Sequence, residues 1–142
     1  MIVSTPSFCR VLVLAAFVAA PALAEDKPEL KIELNALADA KDSCRATFLL
    51  TNGMPGEISK AAFEFAFFNK AGGVERLTAL NFGRLQKGRT VVRQFDLPGG
   101  ACGSYSRVLV NAVKSCDGIV GEADACEAAL ATANKSSIDF GL

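Results

Sequence analysis

The chain has 142 residues, 15 basic against 15 acidic side chains, five cysteines and no histidine. Such a balance creates no field to gather nucleic acid or a charged membrane. The missing imidazole excludes Ser-His-Asp and Cys-His catalysis as well as histidine-ligated zinc.

The first feature along the chain is a leader. An apolar run from Val11 to Ala20 ends in Pro21-Ala22-Leu23-Ala24, and the acidic, proline-containing Glu25-Asp26-Lys27-Pro28 follows. This is the pattern of a cleaved secretory signal. The run is shorter than the roughly 20 residues of helix needed to cross a bilayer, so no permanent membrane anchor is expected. No cysteine lies just after the run to take a lipid, Cys9 preceding it, and Arg10 stands alone where a twin-arginine signal needs two. Retention without cleavage in the inner membrane is the alternative. Residues 1–24 are therefore expected to be a signal peptide and residues 25–142 one mature domain, periplasmic or secreted. Arg10 is the leader's one charge, so its removal leaves the mature chain a single basic residue short of neutrality.

Beyond the cut the hydrophobic pattern alternates. Leu30, Ile32 and Leu34 face one way and Glu29, Lys31 and Glu33 the other, as in a half-buried strand. Cys44 to Thr51 repeats the pattern with Cys44, Ala46, Phe48 and Leu50 in phase, and Asn52-Gly53 with Pro55-Gly56 supplies a turn. Ile58 to Asn69 sets Phe63, Phe65 and Phe67 in step and reads as the central strand. After Asn69-Lys70-Ala71-Gly72-Gly73, Val74 to Leu80 reads as a polar-dotted edge strand. Arg89 to Leu97 and Tyr105 to Val113 are further strands. Ala123 to Ala133 breaks the rhythm, with Cys126, Leu130 and Ala133 at helical spacing, before a last strand from Ser137 to Phe140. Phe68, Phe82 and Leu49 fall out of phase with the core positions, as a partner patch or as the covered second face of a sheet. The whole predicts an all-β fold, an immunoglobulin-like antiparallel β-sandwich with one short helix near the C-terminus, with a small barrel as the alternative.

The stretch from Thr51 to Leu97 resembles the FxLYD type of bacterial extracytoplasmic immunoglobulin-like domain. Phe65-Ala66-Phe67-Phe68-Asn69 stands where that family has Phe-x-Leu-Tyr-Asp, with Phe68 for Tyr and Asn69 for Asp. Leu85-Gln86-Lys87-Gly88-Arg89 matches its Leu-x-x-Gly-x step before a strand containing a phenylalanine, here Phe95. The cysteine-bearing C-terminal third has no counterpart in the family. The resemblance implies a fold and a compartment, and no shared reaction.

Cys44, Cys102, Cys116 and Cys126 permit three pairings. In an immunoglobulin-like order the strands that begin at Cys44 and just after Cys102 run the same way, bringing those two sulfurs to one end of the sandwich. Cys116 then lies at the other end, near the helix that carries Cys126. The expected disulfides are Cys44 with Cys102 and Cys116 with Cys126, as structural staples, because no Cys-x-x-Cys pair suggests redox chemistry.

Few side-chain sets remain for chemistry, and no cofactor is expected. Glu64, Asp96 and Asp139 lie on separate strands at solvent-facing positions. Asp117, Glu122, Asp124 and Glu127 offer hard oxygen ligands that suit calcium, but without EF-hand spacing; no metal site is assigned, and the plainer reading is a solvated loop with acidic residues at a helix N-terminus. Arg84, Lys87, Arg89 and Arg93 form a basic stretch, near which Arg107 is expected; it suits an anionic partner or guards a strand edge. The expected function is that of a non-catalytic binding or assembly domain whose partner is an envelope protein or polymer. A small carboxylate-dependent envelope hydrolase and a structural or inhibitory secreted protein are the alternatives.

Overall fold

The computed structural model describes residue 2 and residues 25–142. The proposed leader, residues 1–24, lies otherwise outside the described residues. The strands are β1 (Glu29–Ala40), β2 (Ser43–Gly53), β3 (Ile58–Asn69), β4 (Val74–Leu85), β5 (Thr90–Pro98), β6 (Tyr105–Asp117), β7 (Leu130–Asn134) and β8 (Asp139–Gly141). A 3₁₀ turn spans Cys102–Ser104, and the helix α1 spans Glu122–Ala129. The strands form two separate four-stranded sheets, ordered β5-β2-β1-β7 and β4-β3-β6-β8. The fold is thus an all-β sandwich rather than one closed barrel.

The alternation in the sequence sets which face is buried. Leu30, Ile32 and Leu34 of β1 and Cys44, Ala46, Phe48 and Leu50 of β2 are fully buried, as are Phe63, Phe65 and Phe67 of β3. Phe48 is the hub of the aromatic core, 5.1 Å between ring centroids from Phe65, 5.7 Å from Phe82, 6.2 Å from Phe95 and 6.1 Å from Phe140. Tilted and edge-on rings at these distances add about 0.5–1.5 kcal/mol per pair beyond area burial.

Three expectations need correction. Two pairings are parallel, β7 on β1 and β8 on β6, where an antiparallel sandwich was expected. A hairpin delivers only antiparallel neighbours, whereas α1 carries the chain across from β6 to the opposite sheet and so delivers β7 alongside β1. The helix also stops at Ala129, not Ala133: Leu130 is extended (φ −60°, ψ 132°), and residues 130–134 pair with Leu30 to Leu34. Filling the hydrogen bonds of the open β1 edge outweighs alanine's helix propensity, the highest of any residue but worth under about 1 kcal/mol per position. Phe82 is in the core, 1 % exposed, because β4 continues past Leu80 to Leu85. Phe68 and Leu49, by contrast, are half-buried on the outer faces of the two sheets.

The consecutive edge strands β4 and β5 belong to opposite sheets, and two arginines stitch the seam between them. Arg93 of β5 occupies an inward position between Val91 and Phe95; its Nε donates to the Phe82 carbonyl of β4 at 3.0 Å. Arg76 of β4 donates through Nη2 to the Pro98 carbonyl at the end of β5. Inward-aimed charge on an edge strand also hinders further strand addition.

Asn52 is the buried polar residue of the core, with no exposed surface. Its Nδ2 donates to the carbonyls of Leu85 at 2.9 Å and Gly56 at 3.0 Å, and its Oδ1 accepts from the Met54 N–H at 3.0 Å. Its own backbone also pairs with Gly88 and Arg89. One side chain therefore ties the end of β2, the loop into β3 and the β4–β5 turn together. The adjacent Gly53 is needed for close approach, since a Cβ there would sit 2.7 Å from the Glu29 carbonyl oxygen.

Candidate functional site

The structure carries disulfides between Cys44 and Cys102 and between Cys116 and Cys126, the two pairs expected from strand order. The second bond fixes α1 against the end of β6, and this attachment builds one side of a concavity. Cys126 points into the core with no exposure, which turns Ala125, Ala128 and Ala129 toward a groove. Residues at such spacing share a helix face, and alanines there leave room rather than fill it. Pro28 of the arm before β1, Met54 and Pro55 of the β2–β3 loop, and Ile119 and Val120 before the helix complete an apolar lining. The groove measures about 530 Å³, and Lys27 is its one charged lining residue.

Backbone geometry fixes this corner. Gly118 has φ +95°, and a Cβ on it would lie 3.0 Å from the Glu57 carbonyl oxygen. Gly121 is left-handed at φ +88° and accepts the Ala125 N–H at 3.2 Å, opening the helix directly after the exposed Val120. Sequence reasoning missed the groove; the available signal was the small-residue face of Ala125, Ala128 and Ala129 next to a cysteine.

The basic stretch is dispersed. Arg84 forms an ion pair with Glu57 at 2.8 Å, and this hydrogen bond raises the guanidinium pKa further above its ordinary value. Arg93 is turned into the β4–β5 seam. Lys87 and Arg89 stay exposed in and beside the β4–β5 turn, with no ion pair among the described residues. Arg107 lies on the outer face of the β4-β3-β6-β8 sheet, its guanidinium 5.8 Å from the centre of the Phe68 ring.

The carboxylates are also apart. Glu64, on the outer face of β3, accepts from Asn111 at 2.6 Å and lies 3.9 Å from Lys114. Asp96 is on the other sheet, held by Arg45 through two hydrogen bonds of 2.7 and 2.9 Å. That bidentate bond holds the Asp96 carboxyl below the usual carboxylate range and raises Arg45. Asp139 is on β8, opposite Arg107. None of the three lines the groove, so no paired-carboxylate centre is assembled there. Asp117 ends β6 while Glu122 and Asp124 lie in the first turn of α1. Among the described residues no three acidic or cysteine side chains are grouped so as to hold a metal ion.

No helix of the described residues is long and apolar enough to cross a membrane. Comparison with protein-family models, with curated proteins and with solved structures finds no match to the chain.

Proposed function

We propose that residues 25–142 act as a non-catalytic binding or assembly domain in the periplasm or outside the cell, released from its leader by cleavage after Ala24. The groove carries this reading. Its volume of about 530 Å³ falls in the range of roughly 300–1,000 Å³ common to ligand sites, and its lining offers apolar surface without a nucleophile or an acid–base pair. Two disulfides are compatible with an oxidising compartment. An immunoglobulin-like order, including the FxLYD-type likeness of residues 51–97, belongs to the same reading. β1, β2 and β5 share one sheet and β3, β4 and β6 the other, with β7 and β8 added at the edges.

The test is photocrosslinking. A crosslinker placed at Ala128 of the purified domain, in an envelope extract, is expected to give a discrete adduct that disappears when Ala125→Trp fills the groove. Background labelling that ignores Ala125→Trp would overturn the reading.

A further inference from the structure

We propose that the outer face of the β4-β3-β6-β8 sheet is a self-association surface on which two copies of this domain pack face to face about a two-fold axis. The inference is independent of the groove and of the function proposed for it.

The ladder register places the side chains of this face in rows. Leu77 of β4 is opposite Ala66 of β3, Ala66 opposite Leu109 of β6, and Leu109 opposite Gly141 of β8. The next row runs Val74, Phe68, Arg107 and Asp139. Leu77 is 60 % and Val74 56 % exposed, whereas the small, outward-pointing Ala66 beside them is only 4 % exposed. Unlike Val92 and Val120, which are exposed elsewhere, these two join Phe68 and Leu109 in one apolar block.

The order across the Ala66 row is large, small, large, none. A two-fold axis lying in the interface, parallel to the strands and between β3 and β6, reverses that order in the second copy. Each large side chain then faces a gap: Leu77 meets Gly141 of the second copy, and Leu109 meets Ala66 of the second copy. A Cβ built on Gly141 has no neighbouring atom within 4 Å, so that socket is open in the single chain. In the adjacent row the same axis sets Arg107 over Phe68 of the second copy, extending a cation–π contact already made within each chain. A two-fold interface must be complementary to itself, and this pattern of sizes satisfies that condition.

Charge does not oppose the pairing. The mature chain is within one charge of neutrality, so two copies do not repel, and the face carries both signs, Arg107 and Lys114 against Asp139 and Glu64. Four strands about 4.8 Å apart and these two rows about 6.8 Å apart cover roughly 260 Å² of plan area on each copy. An interface of that size belongs to the weak class, below about 1,200 Å² in total. The dimer should therefore form at high concentration and exchange readily.

Sedimentation equilibrium of residues 25–142 over a wide concentration range tests this. The weight-average mass is expected to rise from one copy toward two. Gly141→Leu, which has room in the single chain, should leave the thermal melt in place and weaken dimerisation at least tenfold. Leu77→Ala should also weaken it. The double variant Leu77→Ala/Gly141→Leu moves the large side chain to the other end of the row and should restore most of the lost association. A monomer at every concentration, or a Gly141→Leu protein that dimerises like the wild type, overturns the proposal. So does a surface that binds vesicles or a different envelope protein while the domain itself stays monomeric.

Discussion

Replacing Asn52 by alanine is expected to destabilise the domain by about 4 kcal/mol without touching the hydrophobic packing. Three side-chain hydrogen bonds disappear, and the loss is set by the partners left stranded rather than by the small net worth of each bond. The Leu85 carbonyl and the Met54 N–H then lack a partner in a region closed to water, and leaving such a group unsatisfied costs about 1–3 kcal/mol. The Gly56 carbonyl is only partly buried and recovers a water. For a domain of this size the loss corresponds to a Tm lower by roughly 15 °C. Urea unfolding with both disulfides intact, followed by far-UV circular dichroism, measures it. Asn52→Asp adds a control with a different pH dependence. It keeps an acceptor for the Met54 N–H but aims a carboxylate at two carbonyls, so it is at least as damaging as alanine at neutral pH. Its folded-state pKa is raised above the unfolded value, so the variant regains stability as pH falls below the folded pKa, when the protonated carboxyl can donate to Leu85. A loss under about 1 kcal/mol for Asn52→Ala, below the net worth of even the three bonds together, would refute the assignment of Asn52 as the tie between three chain segments.

Phe48→Ala removes the ring that touches four others and should cost about 3–5 kcal/mol in the same assay; a loss near 1 kcal/mol would place the centre of the core elsewhere. The Cys44–Cys102 bond spans 58 residues and the Cys116–Cys126 bond 10, so the chain-entropy account gives about 4 and about 3 kcal/mol. Paired Cys→Ala variants melted without reductant should show the first pair as the more costly, and the reverse order would contradict that account. Asp96 is held below the usual carboxylate range by Arg45, so the pair stabilises the fold above the ordinary carboxyl pKa and loses that effect as pH falls through the depressed value. The Tm gap between wild type and Asp96→Asn should therefore close on acidification. Because the pair is exposed, the gap should also shrink with added salt; a gap constant across pH 2 to 7 would exclude the linkage.

The sequence by itself determined seven of the eight strands and the class of fold. Alternation is a local property: Phe63, Phe65 and Phe67 are two residues apart, and any extended backbone sends them to one face whatever lies beyond it. The disulfide pairs were legible for a related reason, since strand order sets which ends of the sandwich meet. Tertiary structure decided what depends on neighbours distant in the chain. Residues 130–134 are a strand because β1 offers unpaired backbone groups there, a demand that the alanine-rich segment does not encode. Arg93 looks like one of four surface cations in sequence, yet it points into a seam because the facing strand presents a free carbonyl. The groove and the large–small–large–none row across the β4-β3-β6-β8 sheet arise in the same way. Each is assembled from residues on several elements, and only packing brings those residues side by side.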